Sequence, residues 1–349
     1  MNDSYFHRVQ KQTPTRFWVN NPTLEEAALA IREGADYCTT NPTYAAKMLA
    51  HPEMKALGDR ILREAVAGEP EDSAAASEVQ TRLAGLLMEV FLPVYRAHGG
   101  SRGWVSVQGD PEKEEDPREI LREAEINRKA GENYIAKVPV TASGLEAIGV
   151  LAAEGVPVIA TEVMSLSQAV RACETYVKAT AGQKSPAPIY VTHITGIFDQ
   201  HLGEWNRSQG GVVADDILWW AGILAGRKQV RVLRERKYPV TILGGGARGL
   251  HHFTEFVGAD MHITINWKGT AEELIRQNPP VENRFDLPVP GGVLEELLEK
   301  VPVFRSAWEE EGLALEDYGT FPPVELFRSM FLQGWRELKS RIREVRNEQ

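Results

Sequence analysis

Short runs of β-type residues, each followed by a longer stretch with helical spacing, recur eight times along this chain. That alternation constrains the fold more than any other feature. The strand candidates are FWVN (17–20), DYCTT (36–40), WVSVQ (104–108), YIAKVPV (134–140), PVIATEV (157–163), PIYVTHI (188–194), PVTILGG (239–245) and MHITIN (261–266). Most are rich in Val, Ile, Thr and aromatics and poor in charge, as strands covered on both faces must be. Helical spacing is read in LEEAALAIREG (24–34), which stops at Gly34, and in 76–98, 117–130, 143–155 and 165–179. Ser143 and Ser165 are candidate N-caps.

Strand alternating with helix implies a parallel sheet, and eight such units are the count of a closed (β/α)8 barrel. The competing arrangement is an open doubly wound sheet, but no GxGxxG follows the first strand. The expectation is therefore an α/β chain with a TIM-barrel domain over 1–275 and a helical extension over 276–349 packing on it. In that extension Leu326, Phe327, Met330, Phe331, Trp335 and Leu338 recur at helical spacing, which predicts a packing face. The acidic run 112–119 (EKEEDPRE) reads as a solvated loop and helix start, and Trp219 and Trp220 as helix packing.

The charge balance narrows the partners. A net charge of −10 argues against nucleic acid or an anionic membrane surface. No apolar run approaches the roughly 18–20 residues of a membrane helix. The two cysteines, Cys38 and Cys173, form no framework, and no signal-like segment follows Met1. A cytoplasmic location is expected from this, with homo-oligomeric assembly left open.

Reactive groups of such a barrel sit at the C-terminal ends of the strands and in the loops after them. That rule collects Thr40 and Asn41 after the second strand, Ser106 and Gln108 on the third, Lys137 on the fourth, Thr161 on the fifth and Thr192 on the sixth. The seventh runs into GGGARG (244–249), which contains Gly246 and Arg248. Lys137 is the anomaly, an ammonium among Ile135, Ala136, Val138 and Val140. Desolvation lowers a lysine's pKa, and the free amine can attack a ketone to give a Schiff base, an electron sink for a neighbouring C–C bond. An ion-pair role is the alternative. Three glycines before an Arg let backbone N–H groups approach an anion, where barrels often bind phosphate; a flexible turn with a surface Arg is the alternative there.

At these residues the sequence resembles the transaldolase family, including its fructose-6-phosphate aldolase branch. KVPVTASGLEAIGVLAAEGVPV (137–158) is similar to the family's Schiff-base strand and helix, and TTNP (39–42) to its second-strand end. VSVQ (105–108), ATEVMSLSQA (160–169) and YVTHITGIFD (190–199) follow in the same order. The resemblance covers roughly 15–270. It implies Lys137 as the Schiff-base nucleophile and Asn41 as a binder of substrate hydroxyls. It further implies Gln108 with Thr161 around a proton-shuttling water, Thr192 lining the pocket, and Arg248 as a phosphate anchor. The implied activity is transfer or cleavage of a ketose or ketose phosphate, a small-molecule substrate, with no cofactor and no metal.

Three departures stand against that pattern. The family's first strand carries an acid/base Asp; here the run is VNNPT and the position is Asn20, an amide that cannot take up a proton. The Arg that relatives place after the sixth strand aligns with Ile197, and a Tyr of the aldolase branch with Ile194. Two further readings follow: a Schiff-base enzyme of altered reaction (isomerisation or specialised C–C bond formation), or a non-catalytic sugar-binding barrel. A metal-dependent hydrolase is supported only by scattered histidines. His193, Asp199 and His201 are candidate replacement acids, read first as ordinary loop polars. His251 and His252 adjoin Arg248 without a carboxylate at ligand spacing. Glu162, next to Thr161, is expected by strand alternation to point the other way and to be structural.

Overall fold

The computed structural model describes residues 3–348, and within them the eight expected strands form with ends shifted by two residues at most. They are β1 (Arg16–Asn20), β2 (Tyr37–Thr39), β3 (Val105–Gln108), β4 (Tyr134–Pro139), β5 (Val158–Val163), β6 (Ile189–His193), β7 (Thr241–Gly244) and β8 (His262–Asn266). Every neighbouring pair is parallel in sequential order, and β8 returns to β1 with Arg16 to Asn20 opposite His262 to Asn266. The sheet therefore closes as a (β/α)8 barrel, and closure leaves no edge strand to protect.

Several helices start where the sequence marks them. Thr23 and Glu26 form a capping box at the helix Leu24–Arg32, and Ser165 and Gln168 form another at Leu166–Ala179. Ser143 is not a cap. Thr141 accepts from the Gly144 amide and caps Ala142–Ala153, while the Ser143 hydroxyl donates to the Glu115 carbonyl at 2.7 Å. Further helices fill the long connections, Tyr44–Ala50 and Lys55–Gly68 after β2 and Thr195–Ser208 and Ala221–Glu235 after β6.

Side-chain alternation along the strands divides the barrel interior into levels. Trp18, Tyr37, Ile135, Ile159, Tyr190 and Leu243 form an apolar plug, with Trp18 stacked on Tyr37 at 4.2 Å. Two residues further along the same strands the chain turns polar, at Asn20, Thr39, Lys137, Thr161 and Thr192. The plug closes one end, so the polar groups face the mouth at the strands' C-terminal ends.

The tail reaches that mouth. After the helices Val293–Lys300 and Pro302–Trp308, the long helix Pro322–Glu348 packs on Tyr44–Ala50, Asp72–Ala97 and Thr195–Ser208. Phe331, Trp335 and Leu338 are buried as the helical spacing predicts. Among the described residues, no helix is long and apolar enough to cross a membrane.

Candidate active site

Lys137 leaves β4 one level above the plug and lines a cleft of about 200 Å³ at the barrel mouth. Its ammonium donates to the Thr40 carbonyl at 3.1 Å. Burial pushes the amine from its ordinary value of 10.5 down to about 8, and the nearby Glu162 carboxylate opposes that. Near neutral pH about a tenth of the amine is then free base, against fewer than about one part in a thousand for an ordinary lysine. Burial thus gives Lys137 a larger free-base fraction than an ordinary lysine, without an ion-pair partner in contact.

The cleft around it is polar below, apolar above and cationic at the rim. Asn20, Asn41, Thr192, Thr264 and Asn266 line its walls. Phe327, Met330 and Phe331 of the last helix form its roof, so part of the packing face of that helix also bounds the cleft. Lys47 and Arg248 both line the opening, from the segments after β2 and β7. Thr40 contributes its carbonyl rather than its side chain, because its hydroxyl donates to the Ser106 carbonyl at 2.6 Å. Thr40, a substrate-binding candidate at the strand end, therefore turns its carbonyl to Lys137 and does not line the cleft.

Glu162 corrects a second expectation. Pairing of β5 with β6 slips between Ala160 and Val163, and Glu162 takes up the slip with φ of 62°. Simple alternation fails there, and the carboxylate turns toward β3, where Gln108 Nε2 donates to Glu162 Oε1 at 2.9 Å. Complete burial pushes the Glu162 carboxyl up to about 7, against the Gln108 hydrogen bond and the charge of Lys137. Gln108 Oε1, Thr161 Oγ1, Glu162 Oε2 and Thr192 Oγ1 are all buried without a protein partner.

The acidic run 112–119 is not wholly solvated either. Glu114 is buried against Arg328 of the last helix at 2.7 Å, and burial with the Glu162 charge pushes its carboxyl well up. Two acids and one arginine thus sit behind Lys137.

Asn20 is locked by its neighbours. Its Nδ2 donates to Asn266 Oδ1 at 2.9 Å, its Oδ1 accepts from Thr39 Oγ1 at 2.9 Å, and Thr39 shares a hydrogen bond with Thr264 at 2.7 Å. Asn41 Oδ1 accepts from the amide and hydroxyl of Thr43, which fixes the turn that carries it.

The loop after β7 is built around a histidine. The N–H groups of Arg248 and Gly249 donate to His252 Nδ1 at 2.9 and 3.1 Å, so His252 Nε2 carries the proton and donates to Asp199 Oδ2 at 2.8 Å. Asp199 Oδ1 accepts from the Gly222 amide at 2.6 Å. Two of the amides expected to cradle an anion are therefore committed, although Gly246 and Arg248 still line the cleft. Gly246 has φ of 66°, and a Cβ on Gly196 would lie 2.3 Å from its carbonyl oxygen, so the helix after β6 abuts this loop at a glycine.

Asp199 does join the histidine pair, contrary to the sequence reading. Ligand atoms of Asp199, His251 and His252 lie within 4.8 Å of one another. Yet His252 has one nitrogen accepting two amides and the other donating, which describes a structural clamp rather than a ligand set. His251 stacks on Trp219 at 4.7 Å. His193 is a satisfied core histidine: Nε2 donates to the Gly222 carbonyl and Nδ1 accepts from Gln229, each at 3.1 Å, and burial pushes it down to about 4. His201 is not part of the cleft lining.

Sequence reasoning missed Lys47, Glu114, Glu162, Asn266 and the roof residues. Asn266 was within reach, being the C-terminal residue of HITIN on the last strand. Lys47 stands just over a helical turn beyond TTNP. No local signal marks the bulge at Glu162 or the crossing of the last helix.

With this geometry in hand, the chain matches the family model described as Transaldolase/Fructose-6-phosphate aldolase over residues 17–297. It is 26% identical over 193 residues to a transaldolase of Neisseria gonorrhoeae, covering 51% of this chain and 52% of that protein. It is 34% identical over 132 residues to a transaldolase of Saccharopolyspora erythraea, covering 37% and 35%. A probable transaldolase of Chlorobium phaeobacteroides is 25% identical over 249 residues, covering 70% and 84%. The chain spans about half the length of the Neisseria transaldolases it matches.

Proposed function

Because the chain belongs to the transaldolase/fructose-6-phosphate aldolase family, we propose that it makes or breaks a C–C bond of a ketose or ketose phosphate through an imine on Lys137. The observation that carries this reading is Lys137 itself, an amine pushed down to about 8 at the floor of a cleft lined with hydroxyls and amides. The amine attacks the substrate carbonyl, and the resulting iminium withdraws electrons from the adjacent C–C bond, giving an enamine on cleavage. Asn41, Asn20, Thr192 and Asn266 offer hydrogen bonds to sugar hydroxyls. Lys47 and Arg248 at the rim favour a substrate with an anionic end, while the Phe327–Phe331 roof limits water in the cleft.

Asn20 favours a second reading of the chemical step. An amide held between Asn266 and Thr39 cannot exchange the proton that cleavage of a hydroxyl-bearing bond requires. Bond formation with a carbonyl acceptor needs the same proton in reverse, so the enamine then serves isomerisation, or C–C chemistry in which another group exchanges that proton. The test is reductive trapping. Dihydroxyacetone, fructose 6-phosphate and unphosphorylated ketoses are each incubated with the protein and borohydride, and the adduct is mapped by mass spectrometry. An adduct on Lys137 is expected, and its mass names the donor. A folded protein that binds these sugars yet gives no adduct with a broad carbonyl panel would instead be a sugar-binding barrel.

A further inference from the structure

Among the described residues with a side chain, four have positive φ: Asn21, Glu162, Lys237 and Asn278. Only Glu162 lies within a barrel strand. Left-handed backbone is disfavoured for such a residue and persists only where its surroundings impose it. Here its consequence is specific. The slip between Ala160 and Val163 carries a carboxylate to Gln108, and β3 and β5, which bear the two groups, flank the strand of Lys137. Gln108 lies opposite Lys137 in the β3–β4 register. Its amide donates to Glu162, so its own oxygen is left as an acceptor. That oxygen, Glu162 Oε2 and Thr161 Oγ1 are buried without protein partners on the two strands beside the amine.

We propose that Glu162, held in place by the Gln108 amide, is the proton reservoir of the Lys137 site. It gives up and recovers the proton of imine formation through water at the unpartnered acceptors beside the amine, while the Gln108 amide itself carries no proton. The proposal rests on the imine reading above. Its proton balance is simple. The neutral amine adds to the carbonyl carbon, the π pair moves to oxygen, and the carbinolamine loses that oxygen as water. One amine, one ketone and one proton give one iminium and one water. A protonated Glu162 supplies that proton and ends as a carboxylate near the new cation, so no net charge enters the buried site. Hydrolysis returns the proton to Glu162.

The charges that face Glu162 agree with this role. They are Lys137 on β4, Glu114 from the loop after β3, and Arg328 from the last helix. Burial and the neighbouring acid favour a protonated carboxyl, whereas Lys137 and Arg328 favour the carboxylate. Burial pushes the carboxyl up and the amine down, so their hold on a proton converges. Two such interacting groups titrate as a pair.

The test is the rate of borohydride-trapped adduct formation on Lys137 with dihydroxyacetone, followed from about pH 5 to 10. The wild-type rate is expected to be bell-shaped, with limbs near 7 and 8. Glu162→Gln is expected to lower the maximum by about 10²–10⁴-fold and to leave a single rising limb, with Glu162→Asp restoring part of the rate. A folded Glu162→Gln protein with the wild-type rate and profile overturns the proposal while the Lys137 reading stands. No adduct on wild-type Lys137 at any pH, with dihydroxyacetone or with the broader carbonyl panel, overturns both. Should Glu162→Gln fail to fold, infrared difference spectra of glutamate-labelled Glu114→Gln protein decide it. Loss of a protonated carboxyl on adduct formation upholds the proposal, and no loss overturns it.

Discussion

The amide of Gln108 on β3 donates to the carboxylate of Glu162 on β5, at 2.9 Å, and the strand between them carries Lys137. A buried amine and a buried carboxyl thus share one region without touching as an ion pair. Each weakens the other's tendency to become neutral, and neither is fully compensated. Such an arrangement is costly to the fold, which makes its energetic signature measurable.

Lys137→Met should abolish adduct formation and raise stability by about 1–3 kcal/mol at neutral pH, because a desolvated ammonium is replaced by an apolar chain of similar length. The sign follows from linkage. The folded amine, at about 8, holds its proton less tightly than the ordinary 10.5, so its penalty is full below about 8 and fades as pH rises through 10.5. The advantage of the Met variant should shrink across that window. Denaturant midpoints of both proteins near pH 7 and pH 10 provide the check, and a Met variant less stable at neutral pH contradicts the account.

Glu162 behaves in the opposite sense. Its folded carboxyl, at about 7, lies above the ordinary 4.5, so it contributes stability that is full below about 4.5 and lost as pH rises through about 7. Glu162→Gln should gain on wild type over that interval, by of order 3 kcal/mol, and run parallel to it above. Chemical denaturation of the two proteins at intervals across the window reads this directly. Parallel curves throughout would mean that the carboxyl does not titrate where its burial places it.

The barrel and the cleft-lining residues Asn20, Asn41, Lys137, Thr192, Gly246 and Arg248 were legible because strands have period two and polar groups gather at their C-terminal ends. Gln108 and Thr161, expected beside them, do not line the cleft. Lys137 was conspicuous as a charge in an apolar strand. Glu162 escaped for the same reason, since period two sends it away from Thr161 and only a register slip with φ of 62° brings it round. The Asp199–His252 contact joins residues separated by 53 positions, and no local pattern encodes it. Glu114 was hidden in an acidic run that looks solvated until Arg328 of the last helix covers it. Local periodicity thus reads strands and faces, whereas bulges and crossings of distant helices depend on tertiary packing.

Lys47 and Arg248 should set the preference for an anionic substrate end. Lys47 Nζ donates to the Asn21 carbonyl at 3.3 Å, and Arg248 Nε to Gln200 at 2.9 Å, so neither is paired with a carboxylate. Lys47→Ala and Arg248→Ala should each raise KM for a phosphorylated ketose about tenfold or more with little change in kcat, the pattern of lost uniform binding. KM for the unphosphorylated analogue should stay within about twofold. The phosphate effect should also weaken with added salt, since both groups lie at the rim. Equal losses for both substrates would remove the anion-binding role.

Asn20 offers the sharpest test of which step this site performs. Asn20→Asp introduces a carboxylate where the family resemblance implies an acid/base. Thr39 Oγ1 already donates to this position, and the Asn266 amide, now accepting from Asn20, can turn over to donate instead. The variant should therefore fold with a stability loss under about 1 kcal/mol. If proton exchange at Asn20 limits cleavage, Asn20→Asp should accelerate release of glyceraldehyde 3-phosphate from fructose 6-phosphate by about 10²-fold, in line with general acid–base help. Asn20→Ala should give no gain. A folded Asp variant that traps substrate on Lys137 yet cleaves no faster would show that the proton is handled elsewhere, and Glu162 is then the group to examine. A gain in Asn20→Asp that persists in the Asn20→Asp, Glu162→Gln double variant would show instead that the two acids serve separate steps, one at the hydroxyl of the cleaved bond and one at the imine nitrogen.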